Sequence, residues 1–296
     1  MSVRAARLHE IGGVPQVDEV DPPQGGGLVR VSTAALNPID ISIGAGRFYG
    51  GSPPTPYVVG SEIVGTAEDG RRVWVRGRQL MAEVVESGQA QWVFDIPDGV
   101  GDGTALGCGI AGLTAWLAVS WRAPVKPEDT VLVLGASGTL GSVAVQASKL
   151  LGAKHVIGAA RRTDLIPAAA DEVFDLGSAG AMPSASLIID ALWGEPIARA
   201  FAAAPAGVRI VNLGQSAGAD ATLQSGWVRG KVAEILGHSL FDIPAEIAGA
   251  GYRELCEHAR DGAISVETEI FGLDDIAEAW AKQASGSPGR KILVEL

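Results

Sequence analysis

Cysteine is almost missing from this chain: Cys108 and Cys256 are the only two in 296 residues, and they stand far apart. Neither a disulfide framework nor a cysteine-rich zinc site can be built from them, and two buried thiols are the expectation. Basic residues are also scarce. Lys and Arg number 23 against 34 Asp and Glu, giving a formal net charge of −11 with no basic block. That balance argues against nucleic acid or an anionic membrane as the main partner. No apolar run is read as approaching the length of a membrane span, and the opening residues, Met1 to His9, lack an apolar core segment. A cytoplasmic protein is the expectation. Aromatic residues make up 5%, and the seven tryptophans are scattered without stacking spacing, as core residues would be. There is no internal repeat.

What the chain has in abundance is glycine, 40 residues of it. The most informative stretch runs from Val131 to Gln146, VLVLGASGTLGSVAVQ. Val131 to Leu134 read as a buried strand that runs into Gly135, Gly138 and Gly141. Leu140, Val143, Ala144, Ala147, Leu150 and Leu151 then recur at helical spacing, and a second strand follows from His155 to Ala159. Strand, glycine turn and helix together form a cradle for a pyrophosphate. A Cβ would obstruct the sharp turn, the close backbone approach and the helix–sheet contact, while the N–H groups of the first helical turn supply the anion site. Within that turn Ser137, Thr139 and Leu140 would bind through the backbone. The end of the second strand selects the dinucleotide. A carboxylate there suits the ribose of NAD, whereas this chain has Arg161 and Arg162 and no acid before Asp164. The two arginines read either as the site of the extra phosphate of NADPH or as solvated surface side chains.

The composition, 47% hydrophobic and 19% charged, supports a large core and two domains. The first 120 residues read as short strands, Arg4 to Leu8, Leu28 to Ala35, Val58 to Ala67 and Arg72 to Val75, between Pro- and Gly-dense turns. A Gly-rich loop from Ala35 to Gly50 carries Asn37, Asp40 and Tyr49. Ser61 and Glu62 sit inside an otherwise apolar strand, and Glu62 must be either a structural anchor or a site residue. Further apolar runs at Val173–Phe174, Leu187 to Ile189, Ile210 to Leu213 and Ile235–Leu236 alternate with helical segments, as a parallel sheet requires. Asn212, Leu213 and Gly214, at a strand end, fall where ligands bind in such sheets. Asn212 and Thr114 read equally as local backbone ties.

The Asn37-Pro38-x-Asp40 loop, the Gly60-Ser-Glu-x-x-Gly65 strand, Gly112 to Leu117, the glycine cradle, Gly207 to Gly214 and the closing Gly289 to Val294 resemble the medium-chain dehydrogenase/reductase superfamily, in particular its zinc-free quinone oxidoreductase branch. The resemblance covers nearly the whole chain. It implies an α/β architecture: a doubly wound parallel-sheet (Rossmann) nucleotide domain at residues 119–254, inserted in a mostly β, GroES-like catalytic domain formed by residues 1–118 and 255–296. It also places Thr114 near the nicotinamide or its phosphates and implies a homodimer formed through the Val208 to Gly237 region. Zinc-dependent relatives have a cysteine where this chain has Asn37 and a histidine where it has Ser61, so no catalytic metal is expected at those positions.

Without a Lewis acid, a conjugated acceptor is the natural substrate, because it spreads the incoming charge and positioned hydrogen-bond donors suffice. The expectation is therefore hydride transfer from NADPH to a quinone or other conjugated carbonyl, with Asn37 as a donor near the substrate oxygen. Tyr49 is the candidate proton donor, with solvent as the alternative and a packed structural tyrosine as the bland reading. Relatives that reduce enoyl thioesters place a tyrosine in this loop, but at the matching spacing this chain has Phe48. The competing expectations are an enoyl-thioester reductase of lipid or polyketide assembly and a catalytically idle, NADPH-sensing binding protein.

Overall fold

The punctuated first third of the chain folds into short strands because its Pro- and Gly-rich connections stop each run after a few residues. In the computed structural model, which describes residues 2–286 and 289–296, these are β1 (Val3–Leu8), β2 (Gln16–Val20), β3 (Leu28–Leu36), β4 (Tyr57–Val58), β5 (Glu62–Ala67), β6 (Arg72–Arg76), β7 (Val84–Glu86) and β8 (Trp92–Asp95). Helix α1 (Pro38–Gly44) follows β3, and α2 (Asp102–Gly107) and α3 (Leu113–Leu117) follow β8. Strands and helices then alternate through β9 (Thr130–Leu134), α4 (Thr139–Leu150), β10 (His155–Ala160), β11 (Glu172–Asp175), β12 (Leu187–Asp190), α5 (Gly194–Ala203), β13 (Arg209–Asn212), α6 (Ser225–Gly230) and β14 (Glu234–Gly237). The chain closes with α7 (Ala245–Arg260), β15 (Thr268–Gly272), α8 (Ile276–Ala284) and β16 (Lys291–Glu295).

Two compact units result. One takes the chain up to Ile110, Tyr252–Arg260 and Val266–Leu296; the other takes Ala111–Gly251 and Asp261–Ser265. The crossings fall at Ala111 and Tyr252, where the sequence led us to expect 119 and 255.

The first unit is β-rich. One sheet has the order β15-β16-β3-β5-β6-β8, with β7 also on β3; a second has the order β2-β1-β4. Leu8, Leu36, Ile63, Val73, Met81, Ile292 and Val294 fill its core, and each such side chain contributes about 1.5–3 kcal/mol on burial. Two sequence expectations are corrected here. The strand expected from Val58 to Ala67 is two strands, because the chain leaves the three-stranded sheet after β4 and enters the other at β5. Gly60, between them, has φ +100° and passes so close to Met81 that a Cβ would lie 2.9 Å from its backbone nitrogen. The stretch expected as a Gly-rich loop winds into α1 over its first half: Pro38 occupies the first turn, and the Asn37 N–H donates to Asp40 Oδ2 at 2.8 Å.

The second unit carries a six-stranded sheet of order β11-β10-β9-β12-β13-β14, parallel throughout. Numbered from β9, that order is 3-2-1-4-5-6, the doubly wound dinucleotide-binding arrangement, with its reversal between β9 and β12. The runs in β9 and β12 are apolar without alternation because both faces of the sheet are covered; Leu132, Leu134, Ile188 and Ile210 are fully buried. Val143, Ala144 and Ala147 form the buried stripe of α4, whereas Leu150, assigned to the same stripe from its spacing, is 41% exposed in the last turn. The strand expected to reach Leu213 ends at Asn212.

The expectation that no segment approaches a membrane span is also corrected. Asp102–Arg122 is a 21-residue helical stretch apolar enough, by length and composition, to cross a membrane. Its many glycines and alanines hide it from a search for large apolar side chains. Its most apolar window is 72% buried inside the protein, as a core helix is, and Gly109, with ψ −134°, breaks its regularity.

Candidate functional site

In the β-rich unit the polar residues singled out from the sequence gather into one buried network. Asn37, which caps α1 just past β3, comes near Glu62, at the start of β5, because β3 and β5 pair antiparallel with Ala35 opposite Glu62. The Asn37 amide donates to Glu62 Oε1 at 2.9 Å, and Lys291 Nζ, from β16, donates to both Asn37 Oδ1 and Glu62 Oε1 at 2.5 Å. Glu62 Oε2 accepts from Trp74 Nε1 at 2.9 Å and from the Ile110 backbone N–H at 2.7 Å. Glu62 is 0% exposed and Lys291 3%. Two desolvated charges are tolerated here because each is paired and the carboxylate is saturated with donors. Gly109 makes the last contact possible: a Cβ there would lie 2.1 Å from Glu62 Oε2. Of the two sequence readings of Glu62, its four donors match the structural anchor.

Asp40 extends the network. Its Oδ1 accepts from Ser61 Oγ at 2.5 Å, and burial pushes its pKa up to about 6 although the Ser61 and Asn37 donors oppose the shift. Arg76, nearby on β6, lies over the Trp92 ring with its guanidinium carbon 5.1 Å from the centroid, and burial draws its pKa down to about 10. Tyr49 lies at the surface, near enough to Arg76 to act on its charge. Its side chain is 82% exposed and packs on Phe48 with ring centroids 4.5 Å apart.

In the parallel unit the glycine cradle has the form its spacing implies. Gly135 to Gly138 make the turn after β9, and Thr139 begins α4 with its first-turn N–H groups ahead of any intrahelical acceptor. A Cβ on Gly141 would lie 2.2 Å from the Gly135 carbonyl oxygen, so glycine alone lets α4 begin this close to the turn. Ser137, Gly138, Thr139 and Leu140 are half-buried around it, and Arg161 and Arg162 are exposed directly after β10. These groups fit a dinucleotide phosphate chain: a helix start with free donors, no obstructing Cβ, and guanidinium groups past the second strand.

Across the sheet reversal, Asp190 at the end of β12 is fully buried, and burial raises its pKa despite the donors aimed at it. The N–H groups of Leu192 and Trp193 each donate to its Oδ1 at 2.9 Å, holding Trp193 at φ +56°, a conformation that costs a non-glycine residue roughly 1–3 kcal/mol. The Asn212 amide donates to Asp190 Oδ2 at 3.2 Å and to the Gly214 carbonyl at 2.9 Å. Asn212 thus ties the strand ends together, and Leu213 and Gly214 follow it beside Ala191. Thr114 is 9% exposed on α3, and its backbone bonds the His238 ring, whose pKa burial draws down to about 4. His238 Nε2 is buried with no hydrogen-bond partner among the described residues.

Sequence reasoning missed Lys291, Trp74 and Asp190 as members of these clusters. A signal existed for Lys291: a lysine opening the apolar terminal strand KILV is a buried cation in search of a carboxylate. Among the described residues no group of three or more His, Cys, Asp or Glu is placed to hold a metal ion.

A β-rich unit joined to a parallel 3-2-1-4-5-6 sheet with a glycine cradle defines a dinucleotide-binding two-unit architecture. Known proteins narrow the class. No family model matches the chain. It is 29% identical to a phenolphthiocerol/phthiocerol polyketide synthase subunit from Mycobacterium tuberculosis across 99% of its own length, and it spans 14% of that much longer protein. It is 30% identical to the human quinone oxidoreductase over 53% of each chain, so the match spans about half of that relative. A mycobacterial protein solved in complex with NADPH superposes with a TM-score of 0.86 at 22% identity, covering 99% of this chain and all of the other. Quinone oxidoreductases and alcohol dehydrogenases recur among the relatives and structural neighbours. These quinone oxidoreductases and alcohol dehydrogenases are members of the medium-chain dehydrogenase/reductase superfamily, the family this chain's motifs resemble.

Proposed function

We propose that this chain is an NADPH-dependent, zinc-independent oxidoreductase that reduces quinones or other conjugated carbonyls. The observation that carries the proposal is the fate of two positions. Asn37 and Ser61, which stand where zinc-dependent relatives have cysteine and histidine, spend their side chains on Glu62, Lys291 and Asp40. An acceptor that delocalises its own charge is the substrate class such a site serves.

Gly135, Ser137, Gly138, Thr139, Leu140 and Gly141 would hold the pyrophosphate, Arg161 and Arg162 the additional phosphate, and Thr114, Leu213 and Gly214 the nicotinamide end. Bound NADPH would supply the hydride. The protein's part is to orient the acceptor and to provide a proton. Asn37 retains one amide hydrogen beyond its bond to Glu62 and is the proposed donor to the substrate oxygen. For the proton, the exposure of Tyr49 favours solvent over the tyrosine hydroxyl as the source. Association into a homodimer through β14 fits the edge position of that strand, with Ile235 41% and Val232 77% exposed.

A second reading, reduction of an enoyl thioester, draws support from the polyketide synthase relative, whose similarity extends over 99% of this chain. NADPH consumption by purified protein, followed by absorbance with a quinone, a simple enone and an enoyl thioester, separates the readings. Turnover of the quinone or enone supports the first and turnover of the thioester alone the second. Tight NADPH binding without turnover of any would favour a sensing protein.

A further inference from the structure

The two cysteines, far apart in the chain, meet inside the β-rich unit. Cys108 caps the C-terminal end of α2 and Cys256 lies in α7. Both thiols are free and buried, and they are hydrogen-bonded to each other. The pairing follows from how the two helices meet. Tyr252 and Cys256 stand one turn apart on one face of α7, and Ala105 and Cys108 about one turn apart on α2. The Tyr252 hydroxyl donates to the Ala105 carbonyl at 3.2 Å, so one turn further along both helices thiol meets thiol. Each backbone is held on its other side. Cys108 runs into Gly109, packed against the Glu62 carboxylate, and into Ile110, whose N–H donates to that carboxylate. The Tyr252 ring stacks on Trp74 with centroids 4.7 Å apart. The chain leaves the β-rich unit after Ile110 and returns at Tyr252. The two thiols therefore stand just before the departure and just after the return, with Ala111–Gly251 between them.

We propose that Cys108 and Cys256 are a disulfide-forming pair, closed by low-molecular-weight disulfides of the glutathione class, that staples together the two ends of the inserted segment. One cysteine, as its thiolate, attacks the oxidant and displaces half of it, leaving a mixed disulfide; the second cysteine then displaces the other half. Two cysteine thiols and one small disulfide become one intramolecular disulfide and two small thiols, which carry away both electrons and both protons. Hydrogen-bonded sulfurs on helices already held in place need only a short approach to reach bonding distance. Burial governs the rate and not the outcome. A shielded thiol is inert until α7 opens locally, and the finished bond is shielded from reductants in the same way. Closing so long a loop strongly constrains the unfolded chain. Neither reductase activity nor a bound cofactor enters this chemistry.

The test incubates the wild-type chain with excess oxidised glutathione in urea below the unfolding midpoint, where α7 opens without loss of the fold. Both thiols should disappear together, the mass should fall by two hydrogens, and a peptide linking Cys108 to Cys256 should appear. After removal of urea the oxidised protein should melt about 5–10 °C above the reduced one. Cys108→Ala and Cys256→Ala, treated identically, should show no such rise. If either variant fails to fold, oxidised wild type re-reduced with dithiothreitol in urea supplies the comparison and should return to the lower melting temperature. Thiols that survive the treatment, glutathione retained on either cysteine, or a linked protein that melts no higher than the reduced form each overturn the staple.

Discussion

The two units hold their candidate sites by opposite means. In the parallel unit the cradle is backbone: what matters at Gly135, Gly138 and Gly141 is the absence of a side chain and the direction of a few N–H groups. In the β-rich unit the network is side chain on side chain, with Glu62 saturated by Asn37, Trp74, Lys291 and the Ile110 N–H. A backbone site depends on local geometry and fails by steric intrusion. A buried ionic network depends on every partner being present and fails by leaving a charge alone.

That contrast sets the sizes of the effects expected on mutation. The largest belongs to Lys291→Met, which leaves the Glu62 carboxylate uncompensated and should cost about 3–5 kcal/mol of unfolding free energy in urea titrations. Restoring an apolar match with Glu62→Leu in the same chain should recover much of it; no recovery would mean the network contributes more than charge compensation.

The next effect is in pH. Burial holds the Asp40 pKa at about 6, above its unfolded value, so the fold favours the neutral acid. Its contribution to stability is fully present below about pH 4 and is lost as pH rises through about 6, a change of roughly 2–3 kcal/mol. Unfolding titrations across that window should show the loss in wild type and not in Asp40→Asn.

The backbone site should respond through ligand affinity. Gly141→Ala pushes a methyl group to within 2.2 Å of the Gly135 carbonyl and should weaken NADPH binding more than about tenfold, roughly 1.4 kcal/mol or more, in fluorescence titrations. Arg161→Ala with Arg162→Ala should reduce the preference for NADPH over NADH about tenfold and leave NADH binding unchanged, since a charge-assisted bond to an exposed phosphate contributes on the order of 1.5 kcal/mol. The smallest effect is expected for Tyr49→Phe, with kcat within about twofold of wild type; a loss of about 100-fold would return the proton-donor role to Tyr49.

The same contrast explains what could be read in advance. The strand, turn and helix of the cradle occupy one continuous stretch, and their rules are local, so Val131 to Leu150 disclosed the start of the parallel unit and the glycine turn that shapes it. The network partners lie 25, 229 and 254 positions apart along the chain. Glu62 declared itself as a charge needing a partner, but nothing local could name Lys291. The break at Gly60 and the helix at Pro38–Gly44 were hidden for a related reason: short apolar runs and glycine clusters do not reveal which sheet a chain will join or where a proline will start a turn of helix.

By itself the sequence determined the class of fold, the glycine turn before α4, and the basic pair past β10, because each follows from a spacing of neighbours. Only the tertiary structure decided that Asn37 and Ser61 are bound into a buried network, that burial raises the Asp40 pKa to about 6, and that the Tyr57 hydroxyl is buried with no hydrogen-bond partner among the described residues. Those properties arise from burial and from pairings between distant strands, and desolvation is a property of the folded surroundings rather than of any residue's place in the chain.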